Sequence, residues 1–182
     1  MSATLERYCH VADDLTARVV AVPPGAWDNP SPCEDWTAHQ VMDHVIGNAR
    51  ALLDRLSGVE HVSASVQDVA GDWATARAAV EEVLADPVRA KQDVPGPMGP
   101  MPFEVFVGRF VCMDILIHTW DLARATGGDE NVDAEFATHA LEGLRPMDAM
   151  LRRPGLFGPA VEPPPDADAV TQLMAFCGRK VS

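Results

Sequence analysis

At residues 110–121 the sequence reads Phe-Val-Cys-Met-Asp-Ile-Leu-Ile-His-Thr-Trp-Asp, and two good metal ligands, Asp114 and His118, interrupt this apolar segment. Residues four apart lie on one face of an α-helix. A carboxylate on a buried face is costly unless it is paired or binds a cation. The segment therefore predicts a helix that presents two ligands towards a core. The other residues of that face recur at steps of three and four: Phe103, Val107, Phe110, Ile117 and Ala125.

A third candidate ligand, His44, lies on another predicted helix, in an apolar stripe. That stripe also contains Val41, Val45, Asn48 and Leu52. Three ligands from two helices would leave at least one coordination position open. An open position is typical of metal sites that bind a ligand or catalyse a reaction, rather than of structural sites.

The alternation of apolar segments with prolines predicts an all-α protein. Thr37 and Gln40 form a capping-box pattern that begins the second helix and fixes the phase that turns His44 inward. No segment alternates at period two. We expect an up-down four-helix bundle with additional short C-terminal helices, in one domain over residues 1–182, with a tail of about residues 155–182 packing on the bundle. The predicted helices span about residues 4–22, 37–56, 72–85, 102–126, 133–145 (continuing to 152) and 169–177, and residues 95–102 are predicted to form an ordered loop or lid.

Charge and composition narrow the classes of partner. The chain has 27 acidic and 14 basic residues, for a net charge of -13. Such a surface repels nucleic acid and anionic membranes, so we expect neither as a partner. The start of the chain lacks the pattern of a signal peptide, and no apolar stretch has the length of a membrane span. We therefore expect a cytoplasmic protein.

Two motifs resemble a known family. Residues 36–44 (Trp-Thr-Ala-His-Gln-Val-Met-Asp-His) and 114–127 (Asp-Ile-Leu-Ile-His-Thr-Trp-Asp-Leu-Ala-Arg-Ala-Thr-Gly) are similar to the signatures of an actinobacterial branch of the DinB-like four-helix bundles. Within that branch, the motifs resemble the metal-binding N-terminal domain of mycothiol-dependent maleylpyruvate isomerase. Residues 29–33 and 153–159 also look typical of that branch. The resemblance implies one divalent metal ion, bound here by His44, Asp114 and His118.

The resemblance also implies a function. It points to a thiol-dependent transferase or isomerase that binds a low-molecular-weight thiol such as mycothiol at the metal and acts on an electrophilic substrate. Two imidazoles and a carboxylate suit zinc best, with nickel, manganese and iron as other candidates. The isomerase motif carries Glu where this chain has Asp114, and 182 residues are too few for the isomerase's separate C-terminal domain. Metal binding is thus expected to carry over more readily than isomerisation.

Several alternatives remain at the level of sequence. A non-catalytic metal- or ligand-binding bundle with a regulatory or stress role is the second function, and no residue identifies itself as a catalytic base. Asp114 and His118 could instead form a metal-free hydrogen-bonded pair. Helix faces of such bundles also allow a homodimer.

Three further residues have a predicted place near the site. Asp121 is expected to accept from the second ring nitrogen of His44, or else to be a polar residue at the cavity rim. Asn48 faces the site or caps a buried carbonyl. Cys33, in a proline-rich loop, is the cysteine nearest the site mouth, or else a buried thiol like the others.

Overall fold

The described residues are mostly helical, which confirms the predicted all-α class. The computed structural model describes residues 1–58, 67–97, 99–152 and 156–181. Residues 59–66, Met98 and residues 153–155, part of the family-like segment 153–159, lie outside the described residues. The helices are α1 (Ala3–Ala21), α2 (Ala38–Ser57), α3 (Val69–Ala85), α4 (Phe103–Phe106), α5 (Cys112–Thr126), α6 (Ala134–Leu144), α7 (Asp148–Leu151) and α8 (Ala169–Phe176), with short 3-10 turns at Ala26–Asp28, Arg89–Lys91 and Arg145–Met147.

Four helices, α1, α2, α3 and α5, form the bundle. Helices α1 and α2 each pack against both α3 and α5, so α1 and α2 lie opposite one another. Their apolar faces meet in one core, and burial of this surface is the main force that holds the bundle together. Several large side chains of that core are almost fully buried, among them Tyr8, Leu15, Ile46, Trp73 and Ile115.

The opposite side of α5 is also buried. Leu116, Ile117 and Trp120 belong to a second apolar cluster, formed with side chains of α6 and α8 such as Leu141 and Leu173. The C-terminal helices therefore pack on α5 from outside the bundle. A helix buried on both sides is apolar around most of its circumference, so its sequence does not reveal which face each residue occupies. Ile117 was predicted on the face of Asp114, and this prediction is wrong.

The predicted continuous helix over residues 102–126 is interrupted. Between α4 and α5 the backbone forms a π-helical turn, Val107–Val111, which begins at the end of α4 and leads directly into α5. A π turn holds one more residue than an α turn, and this shifts the phase of the residues on either side. Phe103 and Val107 point into the bundle core, whereas Phe110 is only partly buried. Periodicity at 3.6 residues cannot detect such a change.

The described residues of the proline- and glycine-rich segment 95–102 form a loop, as predicted, and two short strands close this loop. Strand β1 (Asp93–Val94) pairs antiparallel with β2 (Met101–Pro102). Within the loop, Gly96 and Gly99 exchange backbone hydrogen bonds of 3.2 Å in both directions. The sequence analysis did not detect these strands, because two-residue strands are too short to show a period of two.

The start of α2 has the predicted capping box. The backbone N–H of Gln40 donates to Thr37 Oγ1 at 3.3 Å, and Gln40 Oε1 accepts from the Thr37 N–H at 2.8 Å. This cap fixes where the helix begins, and His44 follows two turns later on the side that faces α5. No helix among the described residues is long and apolar enough to cross a bilayer.

Replacement of Thr37 by alanine should lower the free energy of unfolding by about 1 kcal/mol, because one N–H of the first turn of α2 loses its acceptor. Equilibrium urea denaturation would measure the loss. Thr37→Ser is the matched control, since it keeps the hydroxyl, and its free energy of unfolding should remain close to that of the wild type. Equal losses in both variants would show that the methyl group, rather than the cap, is what stabilises the helix.

Candidate metal centre

Three potential metal ligands converge where α2 packs against α5. His44 Nε2 lies 3.4 Å from Asp114 Oδ1, and His118 Nε2 lies 3.5 Å from the same oxygen. The ligand atoms of the three residues all lie within 4.8 Å of one another. The side chain of His118 is 8% exposed, whereas those of His44 and Asp114 are 31% and 30% exposed. The group is therefore anchored in the core and open to solvent on one side.

These separations fit a small tetrahedral cation. Bonds of about 2.0–2.1 Å at the tetrahedral angle put neighbouring ligand atoms roughly 3.3–3.5 Å apart. The two imidazole-to-carboxylate distances, 3.4 and 3.5 Å, agree with that spacing, and the two histidine nitrogens lie within 4.8 Å of each other. Two imidazoles and one carboxylate are a common donor set for zinc and related divalent ions. The donor set and its spacing therefore fit a metal ion with a position left open.

The protonation states of the pair reflect a strong mutual attraction. Burial alone would raise the pKa of Asp114, but the charges and hydrogen bonds of His118 and His44 outweigh it and hold this pKa far below its usual range. Burial alone would lower the pKa of His118, but Asp114, with hydrogen bonds to Asp121 and Cys33, outweighs it and raises this pKa well above 6.5. Without a cation, these pKa shifts favour a half-buried Asp114 carboxylate beside a protonated His118.

The second ring nitrogen of His118, on the side away from Asp114, is hydrogen-bonded to Asp121. His118 Nδ1 lies 2.9 Å from Asp121 Oδ2, and the carboxylate is fully buried. The prediction that Asp121 would hold His44 is wrong, because residues three apart on one helix are neighbours, whereas His44 faces the cluster with its Nε2. An acceptor at Nδ1 keeps the proton there and leaves Nε2 free to face Asp114.

Arg179, which the sequence analysis did not single out, neutralises Asp121. Its Nε and one terminal nitrogen donate to the two carboxylate oxygens of Asp121 at 3.1 and 2.8 Å. Burial alone would raise the pKa of Asp121, but His118 and Arg179 outweigh it and lower this pKa to about 2. The arginine lies 58 positions from its partner, just after α8, so local spacing carries no signal for this contact.

Cys33 lies at the junction of these groups, near the site as predicted. Its Sγ is 3.2 Å from Asp121 Oδ2, 3.0 Å from an Arg179 nitrogen and 4.0 Å from His118 Nδ1. Cys33, His118 and Asp121 thus form a second group among the described residues with the spacing of a metal site. Arg179 already supplies the positive charge there, and a guanidinium repels a cation. Of the two groups, His44, Asp114 and His118 are therefore the better metal ligands.

Asn48 faces the site, one turn after His44. Its Nδ2 lies 2.9 Å from His44 Nε2 and donates to Asp114 Oδ2 at 3.3 Å. The amide thus contacts two of the three ligands, and it is these side chains, not a backbone carbonyl, that it binds.

Trp36 forms one wall of the site. Its ring lies 5.0 Å from the His44 ring and 6.1 Å from the His118 ring, centroid to centroid, and is nearly parallel to the latter. The indole is only partly buried. It covers the two imidazole rings on this side.

The stability of the metal-free protein should depend on pH through the Asp114–His118 pair. The lowered pKa of Asp114 contributes stability above the unfolded value of 3.8, and this is lost as the pH falls through the folded pKa. The raised pKa of His118 contributes stability that is complete below 6.5 and lost as the pH rises through the folded pKa. The free energy of unfolding of Asp114→Asn should therefore fall furthest below that of the wild type between pH 3.8 and 6.5.

Chemical denaturation of metal-free protein across this pH range would measure the difference. Asp43→Asn is the matched control, because Asp43 pairs with His39 four residues away at a more exposed position. Its profile should stay close to that of the wild type. If the difference in free energy of unfolding between the wild type and Asp114→Asn did not vary with pH, the electrostatic coupling between Asp114 and His118 would be contradicted.

Comparison with known proteins gives a family match over part of the chain and two similar proteins. Residues 9–79 match the model of the mycothiol maleylpyruvate isomerase N-terminal domain. The uncharacterized proteins MT0763 and Rv0738, from two strains of Mycobacterium tuberculosis, are each 29% identical to the chain over 171 residues, which is 93% of this chain and 93% of each relative. No solved structure matches the chain significantly.

The matched segment contains Cys33 and His44, the loop and helix that form one side of the site, and it ends before Asp114 and His118. The family resemblance predicted from the motifs is thus confirmed over residues 9–79, which are similar to the N-terminal domain of mycothiol maleylpyruvate isomerase.

Proposed function

We propose that His44, Asp114 and His118 hold one divalent cation, with zinc as the first candidate. The observation that carries this proposal is the spacing of the two imidazole nitrogens from one carboxylate oxygen, 3.4 and 3.5 Å, at a buried helix interface. An imidazolium beside a carboxylate could account for the same closeness without a metal. The open fourth position and the family match support the cation instead.

The chain's own residues would have to adjust only locally. The Nε2 lone pair of His44, which faces the Asn48 amide, must become free to bind a cation, so Asn48 must turn its N–H away. His118 must give up the proton on Nε2 while it keeps the one on Nδ1, which donates to Asp121. Metal affinity should therefore increase with pH until His118 Nε2 is deprotonated.

We infer that the open position takes a low-molecular-weight thiol of the mycothiol class. The match of residues 9–79 to a mycothiol-related family supports this inference. A divalent cation at such a position lowers the pKa of a bound thiol, which makes the sulfur nucleophilic near neutral pH. The thiol would lose its proton to solvent, and the thiolate would then either form a C–S bond to a second substrate as a leaving group departs with the bonding electrons, which is a transferase reaction, or add reversibly to a double bond and be eliminated again, which is an isomerase reaction.

The arrangement of acidic groups fits thiol delivery better than base catalysis. Asp114 is occupied by both histidines, and Asp121 by His118 and Arg179. Neither carboxylate is free to take a proton from a substrate. A bundle that binds metal and thiol without turnover is the alternative, and it differs from the enzyme only in the outcome of an activity assay.

Elemental analysis of untagged protein should find about one divalent ion per chain. His44→Ala and His118→Ala should lose it, because two remaining ligands bind too weakly to retain a metal. His39→Ala is the matched control, since His39 lies on the same helix but pairs with Asp43. A wild type that stays empty after incubation with zinc, nickel and manganese would refute the metal site.

Thiol binding can be read from the spectrum of the cobalt(II)-loaded protein. Mycothiol or N-acetylcysteine should produce a sulfur-to-cobalt charge-transfer band in the near ultraviolet, and N-acetylserine, which lacks the thiol, should not. Cys33→Ser measured in parallel removes the nearby protein thiol as a source of the band. One bound cobalt ion without a band for either thiol would leave metal binding intact and refute the thiol.

A further inference from the structure

The guanidinium of Arg179 lies inside the protein rather than at its surface. The residue is 7% exposed, and each of its three nitrogens has a partner. Two of the nitrogens bind the carboxylate of Asp121, one of these also contacts Cys33 Sγ at 3.0 Å, and the third donates to the carbonyl of Cys177 at 2.9 Å. A guanidinium with this many partners is fixed in both position and orientation.

The backbone around Gly178 directs this side chain inward. Gly178 has a φ of 86° at the end of α8, and the N–H of Arg179 donates back to the carbonyl of Met174 at 2.9 Å. A Cβ at Gly178 would come within 3.0 Å of the Pro159 carbonyl oxygen. Both the left-handed backbone and the close approach require glycine. The turn after α8 is therefore built to send Arg179 towards α5.

Asp121 connects this turn to the candidate metal centre. Both of its oxygens are bound by Arg179, and Oδ2 also accepts from His118 Nδ1. If the arginine were absent, the carboxylate could rotate about its own side chain, and its buried charge would have only the imidazole of His118 and the thiol of Cys33 as partners, both on the Oδ2 side. The direction of His118 Nε2 would then no longer be fixed by a rigid acceptor.

We propose that Arg179 is a positioning residue for the metal centre: it clamps Asp121, and the clamped carboxylate orients His118 towards the cation. This inference rests on the proposed metal site. It makes the chain beyond α8 part of that site, although this segment lies about 60 residues from the nearest ligand in sequence and contributes no ligand itself.

A purely structural role predicts a different result. Arg179 could simply fasten the C-terminal segment to the bundle, in which case any substitution that loosens this segment should have the same effect. Arg124 provides the comparison, because its guanidinium donates to the carbonyl of Lys180 at 3.5 Å and packs on Trp120, but it is not among the hydrogen-bond partners of Asp121. Arg124→Gln loosens the same segment and keeps the clamp.

The experiment measures the dissociation constant for zinc by competition with a chromophoric chelator. Arg179→Gln should weaken binding by about 10–100-fold, the range typical for loss of a partner behind a metal-ligating histidine. Arg179→Lys, which keeps the charge but lacks the two-pronged fork, should fall between this variant and the wild type. Arg124→Gln should bind zinc as the wild type does. Thermal unfolding of each metal-free variant reports its stability separately.

A double substitution tests whether Arg179 acts through Asp121. Asp121→Asn alone should also weaken zinc binding, and Arg179→Gln combined with Asp121→Asn should be no weaker than the weaker single variant. The cobalt-loaded protein adds a spectroscopic readout: the ligand-field bands should change in Arg179→Gln and remain unchanged in Arg124→Gln. A merely structural role would not move these bands.

Each outcome decides the proposal. Zinc affinity of Arg179→Gln within twofold of the wild type would overturn it, as would an equal loss in Arg124→Gln or fully additive losses in the double variant. If Arg179→Gln does not fold, Arg179→Lys and Asp121→Asn carry the same comparison. If the wild type binds no zinc, the proposed function itself is refuted. This result is distinguishable from a failure of the Arg179 proposal, because it is seen in the unsubstituted protein.

Discussion

The candidate site depends on one imidazole that is held at both of its nitrogens. His118 lies between Asp114, which faces the open side, and Asp121, which faces the interior. Two buried carboxylates this close to one ring would be unstable without positive charge on each side. Arg179 supplies that charge on the inner side. On the outer side the charge is either a proton on His118 itself or a cation shared with His44.

The two sides of the His118 ring therefore differ chemically: the inner half of the site contains Asp121 and Arg179, and the outer half contains Asp114 and His44. The inner half has a permanent charge, because a guanidinium does not lose its proton in proteins. The outer half has an exchangeable one, since its proton can be displaced by a metal ion. The protonated cluster of Asp114, His118, Asp121 and Arg179 is neutral, so it can be buried without a metal. Replacement of one proton by a divalent ion then leaves a single positive charge at the open face, which would attract an anionic ligand such as a thiolate.

Much of this could be predicted from the sequence because the signals are local. The capping box of Thr37 and Gln40 sets the phase of α2, and the four-residue spacing of Asp114 and His118 puts them on one face of α5. The motifs also predicted the family that residues 9–79 match. What could not be predicted depends on contacts between distant segments. The partner of Asp121 was assigned to the wrong histidine, and Arg179 was missed, because no periodicity relates α5 to the turn after α8.

The π turn at Val107–Val111 has a consequence for how this helix tolerates changes in length. Deleting one residue from the turn would leave a continuous α-helix, in which Asp114 and His118 keep their spacing from each other. The residues before the turn would also keep their orientation relative to the two ligands, because the π turn takes up one extra residue. If the full sequence formed a regular α-helix instead, the residues before the turn would rotate by about 100° around the helix axis relative to the ligands. Phe103 and Val107, now buried in the bundle core, would then point elsewhere. The turn thus lets the core upstream and the ligands downstream each keep their own register on the same helix.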